Sequence, residues 1–252
     1  VSEKHPIALA GACGRMGSAV ERALASAPDL SLVFRADRSL TLGPLTGPDL
    51  SSLAPRSVAG IIDFTSGAGA AEAAGHATRI GCALVSGSTG LDDAGRAALH
   101  TAAETVAVCW SPNFSVGIPF LTRALREAAR KLPQGWQIEI SEVHHCGKRD
   151  APSGTALRLA DAWKEERGGR AVYGRQGIVG PRESDEIGIH ALRIGDVVGE
   201  HRVLLGIAGE TIEAIHRVQD RTAFAAGCLE ALRRLLRQGP GWYGWEDLLC
   251  GD

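Results

Sequence analysis

No stretch of the 252-residue chain approaches the ~20 consecutive apolar residues that span a bilayer, so no membrane partner is expected. An excess of basic charge is also missing: 27 Lys and Arg face 29 Asp and Glu, a formal net charge of −2. That balance argues against nucleic acid, whose phosphates demand a basic face. No C-x-x-C pair occurs, and the six cysteines, at positions 13, 82, 109, 146, 228 and 250, form no dense framework. Such usage fits a reducing cytoplasm better than secretion. The polar opening Val1-Ser2-Glu3-Lys4-His5-Pro6 leads into a four-residue apolar run too short for a signal peptide, which again points to the cytoplasm. Internal repeats and low-complexity segments are absent. Apolar residues make up 44% and charged residues 22%, near the globular average, so wholesale disorder is excluded. This length suits one large domain or two modest ones.

Glycine is in excess, with 32 residues, nearly double average usage. Over residues 1–112 one theme repeats: a short apolar run, a glycine-rich turn, then a helical pattern. Apolar runs at 7–10, 30–34, 60–62, 82–85 and 105–109 read as strands of a parallel sheet, buried on both faces and therefore apolar throughout. After Asn113 the grammar changes. A helix is expected over 118–132, ended by Pro133, then an alternating strand over 136–143 with Ile138 and Ile140 on one face. A second helix, over 153–167, precedes three strands at 187–194, 201–207 and 211–218, which suggest a mixed or antiparallel sheet with one solvated or interface face. The pattern over 223–236 reads as a final helix, and residues 239–252, with Trp242, Tyr243 and Trp245, suggest an arm over the core.

Gly11-Ala12-Cys13-Gly14-Arg15-Met16-Gly17 stands between a strand and a helix pattern, where a pyrophosphate loop belongs. Glycine lets the backbone turn sharply and phosphate oxygens approach, while the following helix offers amides and a partial positive charge. Cys13 stands where the commoner spacing has its second glycine, and an ordinary strand-to-helix turn remains the alternative. Asp37, 20 residues beyond Gly17, is placed to accept hydrogen bonds from ribose hydroxyls. Arg38 beside it, with Arg35 nearby, can neutralise a 2′-phosphate, so both NADH and NADPH are expected cofactors. A solvated turn is the competing reading of these three residues. Gly87-Ser88-Thr89 and Ser111-Pro112-Asn113-Phe114 end two further strands, where ligands of open α/β sheets collect. Helix capping and a plain turn are the alternatives there.

The densest chemistry lies in Glu142-Val143-His144-His145-Cys146-Gly147-Lys148-Arg149-Asp150-Ala151-Pro152-Ser153-Gly154-Thr155-Ala156. Ser153 can cap the next helix, leaving Gly154 and Thr155 amides for an anion. Lys148 adds a compact charge and the histidines a proton donor or acceptor near neutrality. A small substrate bearing carboxylates fits this set. Three adjacent ligand types at 144–146 rarely converge on one ion, so no metal is expected. Strand alternation separates His144 from His145 unless the strand ends between them. The histidines could otherwise merely satisfy loop backbone.

Gly11-x-x-Gly14-Arg15-Met16-Gly17, Asp63-Phe64-Thr65, Ser111-x-Asn113-Phe114-Ser115-x-Gly117 and Glu142-x-His144-His145-x-x-Lys148-x-Asp150-Ala151-Pro152-Ser153-Gly154-Thr155-Ala156 resemble the bacterial dihydrodipicolinate reductase family, in order, over residues 7–236. Arg193-x-Gly195-Asp196-x-Val198-Gly199-Glu200-His201 resembles that family's second-domain hairpin. The resemblance implies an α/β chain: a Rossmann-type dinucleotide-binding domain over 1–114 and 222–252, and a mixed α/β substrate-binding and oligomerisation domain over 115–221. Hinges would lie near Ser115 and Arg221. It implies a homotetramer and NAD(P)H-dependent reduction of 4-hydroxy-tetrahydrodipicolinate, a dicarboxylate ring, with loss of water on the diaminopimelate route to lysine. The cofactor would lie across residues 11–16, Asp37, Arg38, 87–89 and 111–114. His144 would be the general acid/base, Lys148 a second proton donor or charge stabiliser, and His145, Gly154 and Thr155 would hold a ring carboxylate. Cys13 and Ser88 depart from the family's usual glycine and threonine, and residues 181–186 suggest an altered surface connection. Another nicotinamide enzyme, such as an amino-acid dehydrogenase, and a catalytically silent NAD(P) sensor are the readings set against this one. Loss of His144 or Lys148 would mark the sensor, and both are present.

Overall fold

Short apolar runs, each ended by a glycine-rich turn, become the inner strands of a parallel sheet in the computed structural model, which describes residues 4–251. The chain forms two units, one running to Val116 and resuming at Arg221, the other spanning Gly117–Asp220. The first opens with β1 (His5–Ala10), α1 (Arg15–Ala25), β2 (Leu30–Ala36), a two-residue β3 (Thr46–Gly47), β4 (Gly60–Asp63), α2 (Gly67–Ile80), β5 (Ala83–Ser86), α3 (Asp93–Ala103) and β6 (Ala107–Trp110). The second holds α4 (Gly117–Lys131), β7 (Gln137–His144), α5 (Gly154–Arg167), β8 (Arg170–Tyr173), β9 (Glu186–Arg193), β10 (Gly199–Ile207) and β11 (Glu210–Val218). The chain ends in the first unit with α6 (Thr222–Leu235), β12 (Gly241–Tyr243) and α7 (Trp245–Cys250).

The first unit's sheet has the order β12-β6-β5-β4-β1-β2-β3, every pairing parallel. Strand order reverses at β1 and β4, which opens a crevice at their carboxyl ends where such sheets take ligands. Every residue of β4 and β5 is buried, because helices cover both faces. One core joins Leu9, Val20 and Ile62 to Leu232 of α6, and the other joins Ala8 and Leu84 to Ala74 of α2 and Leu99 of α3. Asp92 starts α3 by accepting the Gly95 amide at 2.8 Å.

The C-terminal segment is more than an arm. β12 pairs with Ala107–Cys109 as the seventh strand, and α7, not α6, is the last helix. Trp245, 1% exposed, packs into the first core and donates its Nε1–H to the Ser115 carbonyl at 3.1 Å. A three-residue strand is too short to show periodicity in sequence.

The second unit's sheet is mixed, ordered β11-β10-β7-β9-β8: β7, β8 and β9 run parallel, and β10 and β11 antiparallel to their neighbours. Strand β8 is an addition to the three strands expected after α5. Ile138 and Ile140 pack with Leu125 and Ala129 of α4 and Leu159 and Trp163 of α5. The other face of β7 carries Glu139, Ser141 and Val143, none of them in that core. In register with it stand Leu192 and, beyond β10, Ile215, 49% and 42% exposed.

Candidate functional site

In the first unit the glycines act through space. Gly11 has φ +77°, and a Cβ there would lie 2.5 Å from the Phe64 carbonyl oxygen. A Cβ on Gly17 would lie 2.1 Å from the Gly11 carbonyl oxygen. Only glycine lets α1 begin this close to the end of β1. Gly14 caps α1 without a side-chain hydrogen bond, and the first turn holds no acidic residue, so no side chain competes with an anion there. Ala12 is buried, while Cys13, Arg15 and much of Met16 face outward.

The Cys13 amide donates to Asp37 Oδ2 at 3.1 Å, and Ser39 donates its amide and hydroxyl to Oδ1 at 3.0 and 2.7 Å. Those Ser39 bonds hold the Asp37 carboxyl below its usual range, despite partial burial. Asp37 and Arg38 border a cavity of about 340 Å³ with Gly11, Gly14, Phe64 and Thr65. Arg35 does not join them: it pairs with Glu21 of α1 at 3.1 Å.

The neighbouring turns are organised by Asp63, fully buried at the end of β4. Its Oδ1 accepts the Thr65 amide and hydroxyl at 3.0 and 2.6 Å, and its Oδ2 accepts the Ser86 and Ser88 hydroxyls at 2.7 and 2.8 Å. Burial pushes its pKa up and these donors pull it back. The Ser88 hydroxyl is therefore spent inside the protein, as are its amide, on Ser86 Oγ at 3.4 Å, and its carbonyl, which accepts from Trp110 Nε1 at 2.9 Å. That leaves exposed Thr89 to meet a ligand. Gly87 is needed because a Cβ there would fall 2.1 Å from the Phe64 ring. Asp92 caps α3, so residues 87–89 are free of that task. In the turn after β6, Ser111 Oγ donates to the Asn113 carbonyl at 2.8 Å and Asn113 Oδ1 accepts the Ser115 amide at 2.8 Å. Pro112 is exposed, while Phe114 is buried edge-on to Phe64 at 6.3 Å. Its side chain belongs to the core and only its backbone borders the turn.

In the second unit β7 carries the chemistry. The face that holds Ile138 and Ile140 continues to Glu142 and His144, and the strand ends there, so His145 starts the loop. Glu142 is fully buried. Its Oε2 lies 2.5 Å from His144 Nδ1, Arg193 reaches both its oxygens at 2.8 and 2.9 Å, and the Ser153 amide donates to Oε1 at 3.0 Å. Burial opposes the Glu142 charge, but Arg193, His144 and Ser153 outweigh it and hold the pKa low. Burial lowers the His144 pKa, and the Glu142 bond counters in part. The result is an imidazole with one nitrogen fixed on a carboxylate and Nε2 beside Gly199, where a Cβ would come within 3.1 Å.

Ser153 caps α5 through the Ala156 amide at 3.2 Å, and its hydroxyl also meets His201 Nε2 at 3.0 Å. Gly154 is exposed, with open space where a Cβ would point, and Thr155 is half-buried beside it. Lys148 is not an open charge: its Nζ lies 2.9 Å from both Asp150 oxygens. His145 accepts the Lys148 amide on its carbonyl at 3.1 Å, so 145–148 form one turn. No cluster of three metal-ligating side chains exists among the described residues.

Family models described as "Dihydrodipicolinate reductase, N-terminus" and "Dihydrodipicolinate reductase, C-terminus" match residues 5–114 and 117–249. The chain belongs to the dihydrodipicolinate reductase family. A 4-hydroxy-tetrahydrodipicolinate reductase of Rubrobacter xylanophilus is 41% identical over 98% of each chain, and one of Nitrosomonas europaea 38% over 96% and 97%. The dipicolinate-bound dihydrodipicolinate reductase of Paenisporosarcina sp. TG-14 has a TM-score of 0.78 at 22% identity, covering 96% of this chain and 98% of that one. The diaminopimelate dehydrogenase of C. glutamicum shares the fold more loosely, at 0.58 and 16%, covering 99% and 96%.

As a member of this family the chain is an oxidoreductase that draws on a nicotinamide cofactor. The residues present fit that group: Gly11, which no side chain can replace, Gly14 at a helix start with no side-chain cap, and the anchored carboxylate of Asp37 border one cavity. Sequence reasoning quotes Asp63, Glu142, Arg193 and His201 within motifs but gives none of them a role in the site. Extending the alternation 138-140-142-144 would have exposed Glu142 and His144 as polar residues on a buried face.

Proposed function

We propose that this chain reduces 4-hydroxy-tetrahydrodipicolinate to tetrahydrodipicolinate, with loss of water, using NADH or NADPH. It does so on the diaminopimelate route to lysine, as in the family whose members share this name. The observation that carries the reading is His144, pinned through Nδ1 to a buried carboxylate and flanked by an ammonium and a capped helix start. Loss of water from the 4-hydroxy substrate leaves a conjugated ring that takes up one hydride and one proton. A bound nicotinamide supplies the hydride, and the protein's own residues handle the rest. Gly11–Met16, Asp37 and Arg38 hold the dinucleotide, and the turns at 87–89 and 111–114 border its reactive half. His144, held in one tautomer by Glu142, transfers the proton through Nε2. Lys148 exchanges Asp150 for the charge developing on the substrate, or acts as the second candidate donor of that one proton. His145, with Gly154 and Thr155 at the start of α5, holds a ring carboxylate. Segments 1–114 and 222–252 would form the cofactor domain, and 115–221 the substrate domain. The half-exposed apolar residues Leu192 and Ile215 on the helix-free side of β7 support burial between copies in a cytoplasmic homotetramer.

The test follows the nicotinamide absorbance band. Purified protein given NADH or NADPH and freshly made substrate should oxidise the cofactor. No oxidation with either one would overturn the assignment.

A further inference from the structure

Carboxylates dominate the cavity beside Asp37. Besides Asp37 itself, Asp49 and Glu72 line it, and Arg38 is the only lysine or arginine among the lining residues. Arg38 is 84% exposed and already turned to Glu72, with Nη2 3.8 Å from Oε1. Arg79, farther along α2, spends its guanidinium on the carbonyls of Leu53 and Leu50, at 2.7 and 3.0 Å. His76 completes the lining, and burial followed by the nearby Arg79 charge keeps it neutral near pH 7. Ser39 fills Asp37 Oδ1 with two hydrogen bonds, while Oδ2, which accepts only the Cys13 amide, retains capacity to accept from a ribose hydroxyl.

We infer that Glu72 makes this cavity select the unphosphorylated dinucleotide, NADH, by holding Arg38 and repelling a 2′-phosphate. The inference rests on the cofactor reading above and sharpens it. A ribose 2′-hydroxyl donates to Asp37 and needs no cation. A 2′-phosphate brings about two negative charges, must take Arg38 from Glu72, and then faces Asp37 and Glu72 together. Because Glu72 is itself 60% exposed, solvent and salt temper the repulsion without abolishing it.

The experiment measures dissociation constants of NADH and NADPH by calorimetry on the full chain without substrate, in wild type, Glu72→Gln and Glu21→Gln. Glu21 pairs with Arg35 on α1 and does not line the cavity, so its variant loses the same charge elsewhere. Wild type should bind NADH more tightly. Glu72→Gln should tighten NADPH about three- to tenfold, leave NADH within about twofold, and lose much of that gain at high salt. Glu21→Gln should leave the ratio unchanged. Equal wild-type affinities, equal tightening of both cofactors in Glu72→Gln, or the same gain in Glu21→Gln would overturn the role of Glu72. If neither cofactor binds wild type, the cofactor reading falls and this inference with it.

Discussion

Around Gly11 and Gly17 the working parts are main-chain amides and the volume that missing Cβ atoms leave open, whereas at the ends of β7 and β9 they are charged side chains locked together out of water. The first region contributes shape: Gly11 and Gly17 have carbonyl oxygens 2.5 and 2.1 Å from where a methyl would stand. The second contributes polarity: Glu142 carries four hydrogen bonds at zero exposure. A shape site fails when atoms are added and a charge site fails when they are removed. The two should also fail in different measurable quantities, binding in the first and turnover in the second.

A crossed pair of variants offers the sharpest way to break that comparison. His144→Ala should cut turnover by about 10²- to 10⁴-fold, the usual share of one general acid/base, with cofactor affinity unchanged. Gly17→Ala should do the reverse, weakening cofactor binding at least about tenfold and costing the fold roughly 1–3 kcal/mol through overpacking. Steady-state kinetics beside cofactor calorimetry decides the matter. If His144→Ala lost cofactor affinity as well, the division of labour would be wrong.

A smaller effect is expected from Glu142→Gln, which keeps shape and removes charge. Arg193 loses its buried anion, and the His144 pKa, already lowered by burial, should drop further because the Glu142 bond is what raises it. The pH–rate profile should therefore move its imidazole limb to lower pH, with turnover down about tenfold to a hundredfold. An unshifted limb would reduce Glu142 to a structural prop.

How much of this was legible differs between the regions for the same reason. The first unit's strands, its glycine turn and the Asp92 cap are local features, written within a few residues of themselves, and so is the Ser153 cap in the second. The Asp63 hub joins residues up to 25 apart, and the Arg193–Glu142 pair joins residues 51 apart. Nothing in local spacing announces such bonds. Lys148 and Asp150 are only two residues apart, yet sequence alone gives Lys148 as a free cation, because the turn from His145 decides where its ammonium points. Strand β12 escapes notice for want of length, though its neighbour Trp245 anchors the core.

The mildest test uses acidity, since the polar region should respond to protons and the glycine turn should not. His201, 3% exposed, has its pKa driven to about 3 by burial first and then by His144 and His216. Unfolded, it would titrate near 6.5. Between those values the unfolded chain binds a proton that the folded chain refuses, so stability falls as pH drops below about 6.5. His201 alone should cost about 2 kcal/mol between pH 7 and pH 5, and the lowered pKa values of His144 and His216 add in the same direction. The stabilising charge of Glu142 is lost only lower, as pH falls below about 4.3. The raised pKa of buried Asp63 acts in the opposite sense to the imidazoles, so the His201 contribution is read from the difference between variant and wild type. His201→Gln keeps a polar tip for Ser153 without a titrating ring. Urea unfolding at pH 7 and pH 5 should show the variant losing about 2 kcal/mol less than wild type over that interval. The same loss in both would place the acid sensitivity outside this cluster.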